Sequence, residues 1–262
     1  MAELTPHFED VQAHYDLSDD FYRLFLDSTQ TYSCAYFACD DMTLEEAQFA
    51  KIDLSLGKLG LRPGMKMLDI GCGWGATMRR AVEQYDVNVI GLTLSENQHD
   101  HIEKEFAAVD GPRSKRVLLE GWEQFDEPVD RVVSIGAFEH FGHDRWQRFF
   151  KMTYDALPDD GVMLLHTITR LTLDEVKAHS IPFSMDAARF AIFIAKEIFR
   201  GGQLPTIGAV EEHATASRSH AYSRCSSITR GRWRHGRGRW ARRRDEAIAV
   251  QSEEVYDRYM ST

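Results

Sequence analysis

The segment Asp69-Ile70-Gly71-Cys72-Gly73-Trp74-Gly75 carries the residue types and spacing that point most directly to chemistry. It follows the apolar run KMLDI and leads into ATMRRAVEQY, so a buried strand turns through glycines at alternate positions into a helix. Glycine turns tightly and lets a ligand approach the main chain without Cβ interference. A nucleoside cofactor suits such a turn, although a ligand-free strand-to-helix connection draws on the same residue.

The surroundings separate two cofactor classes. A nicotinamide site favours GxGxxG and a carboxylate about 20 positions on to hold the ribose. Here the spacing is GxGxG, and the next strand ends in Gly91-Leu92-Thr93 with no acid, leaving Thr93 and Gln98 as local polar candidates. Asp69, just before the glycines, sits where methyltransferases commonly place an acidic residue. S-adenosylmethionine is therefore favoured over a dinucleotide. Two further polar residues fall at strand ends, where ligands of open α/β sheets bind. Glu139 follows VVSIGA and His166 lies late in GVMLLHTI, so both are expected to face the cofactor, while a histidine in such a strand is also a common core residue.

The elements that position these residues alternate. KMLDI, VNVIGL, KRVLLE, DRVVSIGA and GVMLLHTI read as strands, with helices at GATMRRAVEQY, SENQHDHIEKEFAAV and DRWQRFFKMTYDAL. That order predicts an α/β fold, a mainly parallel sheet with helices on both faces. Upstream, residues 6 to 27 read as two short helices broken near Asp16 to Asp19, and TYSCAYF as a short aromatic segment. Thr43 with Glu46 forms a capping box ahead of a confident helix. Asp186 to Phe199 is apolar on more than one face, as in a buried or lid-forming helix.

Composition narrows the class. With 262 residues, 43% hydrophobic and 27% charged, the chain fits one globular domain, and no apolar run approaches the ~20 residues of a membrane span. The start, MAELTPHFED, lacks the pattern of a secretory signal, which places the protein in the cytoplasm. Cys34, Cys39, Cys72 and Cys225 show no metal or disulfide spacing, so reduced thiols and no zinc are expected. The net charge of −10 is uneven: ten arginines and no Asp, Glu or Lys lie between Arg218 and Arg244, which leaves 21 basic against 41 acidic residues elsewhere.

HYDLSDDFYRLFLD, QTYSCAYF, LDIGCGWGAT, GLTLSENQ, GWEQFDEPVDRVVSIGAFEHFGH and GVMLLHTIT together resemble the mycolic acid cyclopropane synthase family, over about residues 7 to 216 and again from Asp245 to Met260. The resemblance implies a Rossmann-like S-adenosylmethionine-dependent methyltransferase that acts on a cis double bond of a long meromycolate chain, carried on an acyl carrier protein. It implies cofactor contacts at Tyr32 and Ser33, at Asp69 through Gly75, at Thr93, Leu94 and Gln98, and at Trp122 and Glu123. Trp122 as a core or rim aromatic and Glu123 as a solvated charge are the ordinary alternatives. A bicarbonate base is implied near Glu139, His166 and the backbone around Cys34 and Ile135.

Such a reaction leaves a carbocation, which ring faces attract; Tyr15, Tyr32, Phe141 and Phe199 are candidates. Proton loss from the transferred methyl closes a cyclopropane, whereas water capture gives a methyl-branched alcohol. DAARFAIFIAKEIF would line the acyl chain or simply pack in the core. A small-molecule or protein methyltransferase, and a lipid-binding relative without activity, are the other readings. No nucleic acid and no integral membrane association are expected.

The chain is read as a single methyltransferase domain over 1–262: an N-terminal helical segment (1–60), a cofactor-binding core (61–170), a lid or acyl-binding insertion (171–216), an anomalous arginine-rich stretch (217–244) and a truncated C-terminal helix (245–262). In the family, a strand and a helix with a bicarbonate-binding tyrosine occupy the place of 217–244, and a cysteine segment follows beyond 262. Its abrupt composition and preserved length make the stretch an out-of-frame translation between compensating single-base changes, expected to form a poorly packed loop and to weaken stability and activity. A basic tract for polyanions is the competing reading.

Overall fold

The computed structural model describes residues 4–6, 12, 15, 18–182, 184–193, 202–216 and 244–250. Five parallel strands, β1 (Lys66–Ile70), β2 (Asn88–Thr93), β3 (Lys115–Leu119), β4 (Arg131–Ile135) and β5 (Val162–His166), lie in the order β3-β2-β1-β4-β5. The expected α/β architecture is present, and β1, the strand that enters the glycine turn, takes the centre. Order reverses on either side of it, which is where open parallel sheets leave a crevice for ligands.

Both faces of the sheet are covered, and the strands read as near-continuous apolar runs for that reason. Met67, Val89 and Val133 point to one side, where they meet Ile52 and Leu56 of α2 (Leu44–Lys58), Met78 of α3 (Ala76–Tyr85), and Ile102 and Phe106 of α4 (Glu96–Ala107). Their neighbours Leu68, Ile90 and Val132 point to the other, against Trp146, Phe149 and Phe150 of α5 (Trp146–Ala156). This is the two-residue alternation of a pleated strand used on both faces.

Helix starts follow local chemistry. Thr43 and Glu46 exchange side-chain and backbone hydrogen bonds in the expected capping box, and Ser95 caps α4 by accepting from Gln98 N. Near the N-terminus α1 (Asp19–Arg23) begins after Ser18, whose side chain accepts from Phe21 N; most of the first expected helix lies outside the described residues. Past β5 the chain forms α6 (Leu173–Ala178), α7 (Met185–Phe193) and α8 (Ile207–Ala216), the last packed on the aromatic face through Ala209, Val210 and Ala214. The expected 186–199 helix is described through Phe193 only. In that part Ile192 is exposed, as is Met185 just before it, which favours the lid-forming alternative over the buried one for the described residues. Of the arginine-rich stretch only Arg244 is described, in α9 (Arg244–Val250); the expectations for 217–243, including Cys225, lie outside the described residues.

No helix among the described residues is long and apolar enough to cross a membrane, and none of their His, Cys, Asp and Glu side chains group as a metal site.

Candidate functional site

The glycine turn shows why β1 and α3 need these residues. Gly71, Gly73 and Gly75 have φ of 77°, 58° and 82°. A Cβ on Gly71 would collide with the Cβ of Ala137, and one on Gly75 would press on Ile102. A Cβ on Gly73 meets nothing within 4 Å, because it would project into open space. Gly75 itself is the N-cap of α3, which leaves the first amide groups of that helix directed toward the turn.

That space belongs to an open-mouthed cavity beyond the carboxyl ends of β1, β2, β3 and β4. Its wall contains Asp69, Ile70, Gly71, Cys72, Gly73 and Trp74 from the turn, and Thr93, Leu94 and Gln98 from the end of β2 and the start of α4. Trp122 and Glu123 come from a single 3-10 turn after β3, and Tyr32 and Ser33 from the irregular segment before α2. Residues expected to share a ligand but spread over 92 positions therefore face one space; Gly75 alone of the cofactor group is off the wall.

Several of these side chains are held in place before any ligand arrives. Thr93 Oγ1 donates to Gln98 Oε1 at 2.7 Å and accepts from Ser95 N at 3.2 Å. Glu123 is not a solvated charge: its side chain is 4% exposed and accepts from Arg145 Nη1 at 3.0 Å. Trp122 is both a core and a wall residue, packed against Phe141 and Phe149. Gln12 Nε2 donates to Leu94 O at 3.1 Å.

Asp69 is fully buried, and its Oδ2 has no hydrogen-bond partner. Burial pushes its carboxyl up to about 7, with the charge of Lys51 acting against the rise. A cavity with a buried acid, a main-chain turn stripped of Cβ atoms and an aromatic wall fits a cationic nucleoside cofactor.

The four residues expected to do chemistry are divided. Ile135 is on the cavity wall; Glu139 and Cys34 are buried and His166 is half-buried, and none of the three is part of that wall. Glu139 also has a structural role that its position at a strand end did not show: Oε1 accepts from Ile168 N at 2.6 Å and its carbonyl from Gln203 N at 2.7 Å. Its Oε2 and the Nδ1 of His166 are both buried without a partner. Burial raises the Glu139 pKa, and burial, followed by the Lys51 charge, lowers that of His166 to about 4, so the imidazole is neutral at physiological pH. Of the aromatic candidates, Tyr15, Tyr32 and Phe141 line the cavity, Tyr15 meeting Tyr32 edge-on at 5.9 Å; Phe199 lies outside the described residues.

Sequence reasoning missed Thr29, Gln30, Thr31 and Lys51 on the wall. Asp27 shapes the first three, accepting from Thr29 N and Thr31 N at 2.9 Å each. Lys51 carried a readable signal, since it sits with Gln48 and Ser55 as a polar stripe on the otherwise apolar inner face of α2.

A glycine turn after the central strand, with the cavity at the strand ends, defines the Rossmann-like fold of S-adenosylmethionine-dependent methyltransferases. The family model for mycolic acid cyclopropane synthetase matches residues 2–262, across the arginine-rich stretch as well. The chain is 63% identical over 262 residues to Cyclopropane mycolic acid synthase MmaA2 of Mycobacterium tuberculosis, covering 98% of this chain and 91% of that one. The solved structure of that cyclopropane synthase superposes with a TM-score of 0.93 at 63% identity, covering 99% of this chain and 92% of the other. Mycolic acid cyclopropane synthase CmaA1 complexed with SAH and CTAB gives 0.91 at 60%, with the same coverage. This protein belongs to the mycolic acid cyclopropane synthetase family.

Proposed function

We propose that this protein transfers a methyl group from S-adenosylmethionine to a cis double bond of a long meromycolate-type acyl chain and closes the product to a cyclopropane. The observation that carries the reading is the single cavity that gathers the glycine turn, the buried Asp69 and the aromatic wall, in a chain 60–63% identical to named cyclopropane synthases. A relative solved with SAH, the demethylated cofactor, supports the cofactor assignment.

Bound at this turn, S-adenosylmethionine supplies an electrophilic methyl group to a weakly nucleophilic alkene. The residues Tyr32, Ser33, Asp69 to Trp74, Thr93, Leu94, Gln98, Trp122 and Glu123 would hold it, with Gly75 shaping the turn behind them. The protein's contribution is largely alignment and exclusion of water. Tyr15, Tyr32 and Phe141 line the cavity, and ring faces there would stabilise positive charge developing on the substrate. Glu139 Oε2 and neutral His166 Nδ1, each a buried atom without a partner, would offer an acceptor and a ring nitrogen to a small ion. Bicarbonate held there would supply the base for ring closure.

The acyl chain arrives on an acyl carrier protein, and the exposed Leu173, Ile181, Met185 and Ile192 of the 171–193 region offer it apolar surface. The setting is the cytoplasm, where thiols such as those of Cys34 and Cys72 stay reduced. The arginine-rich stretch is read as out-of-frame coding, which resequencing the DNA decides.

The test is transfer of labelled methyl from S-adenosylmethionine to an unsaturated acyl carrier substrate, with the product identified by mass spectrometry. A cyclopropane is expected. Glu139→Gln, which keeps the acceptor for Ile168 N, should retain the melting temperature within a few degrees and lose on the order of a hundredfold in turnover. A hydroxylated product, or no transfer by a protein that binds the cofactor, overturns the reading.

A further inference from the structure

Lys51 is a lysine where packing alone calls for an apolar residue. It lies on the inner face of α2 at 3% exposure, between Ala47, Ile52 and Ser55, and reaches the cavity wall. Its Nζ donates to Ser33 Oγ at 2.6 Å. Lysine is almost never fully buried without a charged or polar reason, because desolvating an ammonium is expensive.

One structural explanation is that Lys51 merely fastens the segment before α2 to the helix. Gln48, one turn earlier on the same face, already does this: its Nε2 donates to Thr31 O at 3.1 Å and to Ser33 O at 3.0 Å. What Lys51 adds is a charge and a fixed Ser33 hydroxyl. That charge is felt by Asp69 in the central strand β1 and by His166 at the end of β5, favouring the carboxylate of the first and the neutral ring of the second.

We propose that Lys51 is a positioning residue for the cofactor: its ammonium orients the Ser33 hydroxyl and sets a positive charge in the same cavity wall as the Asp69 carboxyl group, the acceptor for the positively charged amino-acid end of S-adenosylmethionine. The proposal rests on the reading that the cavity takes this cofactor. Asp69 Oδ2 is the acceptor left open for it, and Lys51 supplies the countercharge that lets such an acceptor exist in a buried wall.

The experiment is calorimetric titration of the full chain with S-adenosylmethionine and its demethylated product, in two buffers of different ionisation enthalpy at about pH 7.5. Wild-type protein should release only a fraction of a proton on binding. Lys51→Met should weaken binding on the order of tenfold or more, since losing a neighbouring charge disfavours the carboxylate by about that factor, and should release a proton on binding. Lys51→Arg should restore most of the affinity. A measurement on the unaltered protein guards against a variant that does not fold: the Lys51 15Nζ resonance should shift on saturation with the cofactor. Wild-type affinity and proton count in Lys51→Met, an unmoved resonance, or equal losses in Lys51→Met and Lys51→Arg each overturn the role of the charge. A wild-type protein that fails to bind overturns the cofactor reading itself.

Discussion

The indole Nε1 of Trp74, in the middle of the glycine turn, donates to Asp19 Oδ1 at 2.7 Å, while Asp19 Oδ2 lies 3.2 Å from His101 Nδ1. One carboxylate thus joins α1, the cofactor turn and α4. Burial pushes the Asp19 carboxyl up, but hydrogen bonds from His101 and Trp74 outweigh it and hold the group below the usual range. Asp19→Ala removes both partners. The expected result is a loss of about 1–2 kcal/mol in stability and a several-fold weaker affinity for S-adenosylmethionine, read by denaturant melts and calorimetry. Unchanged affinity would mean that the turn holds its shape without α1.

Gly71 and Gly73 should respond differently to the same small change. Alanine at 71 meets both an unfavourable φ and the Ala137 side chain, so Gly71→Ala should destabilise the protein by about 2 kcal/mol or more and lose cofactor binding with it. Alanine at 73 meets only the backbone penalty of about 1 kcal/mol, because its methyl group points into the cavity. Gly73→Ala should therefore fold and still bind the cofactor at least tenfold more weakly, a difference that paired melting and titration experiments resolve.

Asp69 predicts a pH dependence whose sign is set by burial. Its pKa is about 7 in the folded protein against 3.8 for an ordinary aspartate, so between those values the folded state holds a proton that the unfolded state does not. The stability this contributes is present below about pH 4 and is lost as pH rises through about 7. Asp69→Asn cannot titrate. Its melting temperature should climb relative to wild type from pH 5 to pH 8, by an amount worth on the order of a few kcal/mol. Cofactor affinity should move the other way, rising with pH through about 7 in the wild type and staying flat in the variant, because a cation prefers the carboxylate. Parallel pH profiles in the two proteins would remove Asp69 from the cavity's electrostatics.

Much of the site was legible in the chain because its signals are local. The glycines at 71, 73 and 75 announce a turn with positive φ, the capping box at Thr43 and Glu46 sets the start of α2, and apolar runs mark strands buried on both faces. Each depends on interactions within a few residues, so residue type and spacing suffice. The motif at Trp122 and Glu123 was likewise visible, although its burial and the Arg145 partner were not.

The sequence by itself determined the alternating α/β pattern, the glycine turn and the cofactor class that the turn suits. Only the tertiary structure decided the strand order, with β1 at the centre, and the convergence of Tyr32, Gln98 and Trp122 on one cavity. It also decided that Glu139 and His166 are not part of the wall, that Asp19 reaches Trp74 across 55 positions, and that Lys51 is a buried charge and not a solvated one. The physical reason is that these relationships come from packing between elements distant in sequence, where burial sets protonation and partners. A chain's local periodicity records which face of an element is apolar, but not which neighbour will cover it.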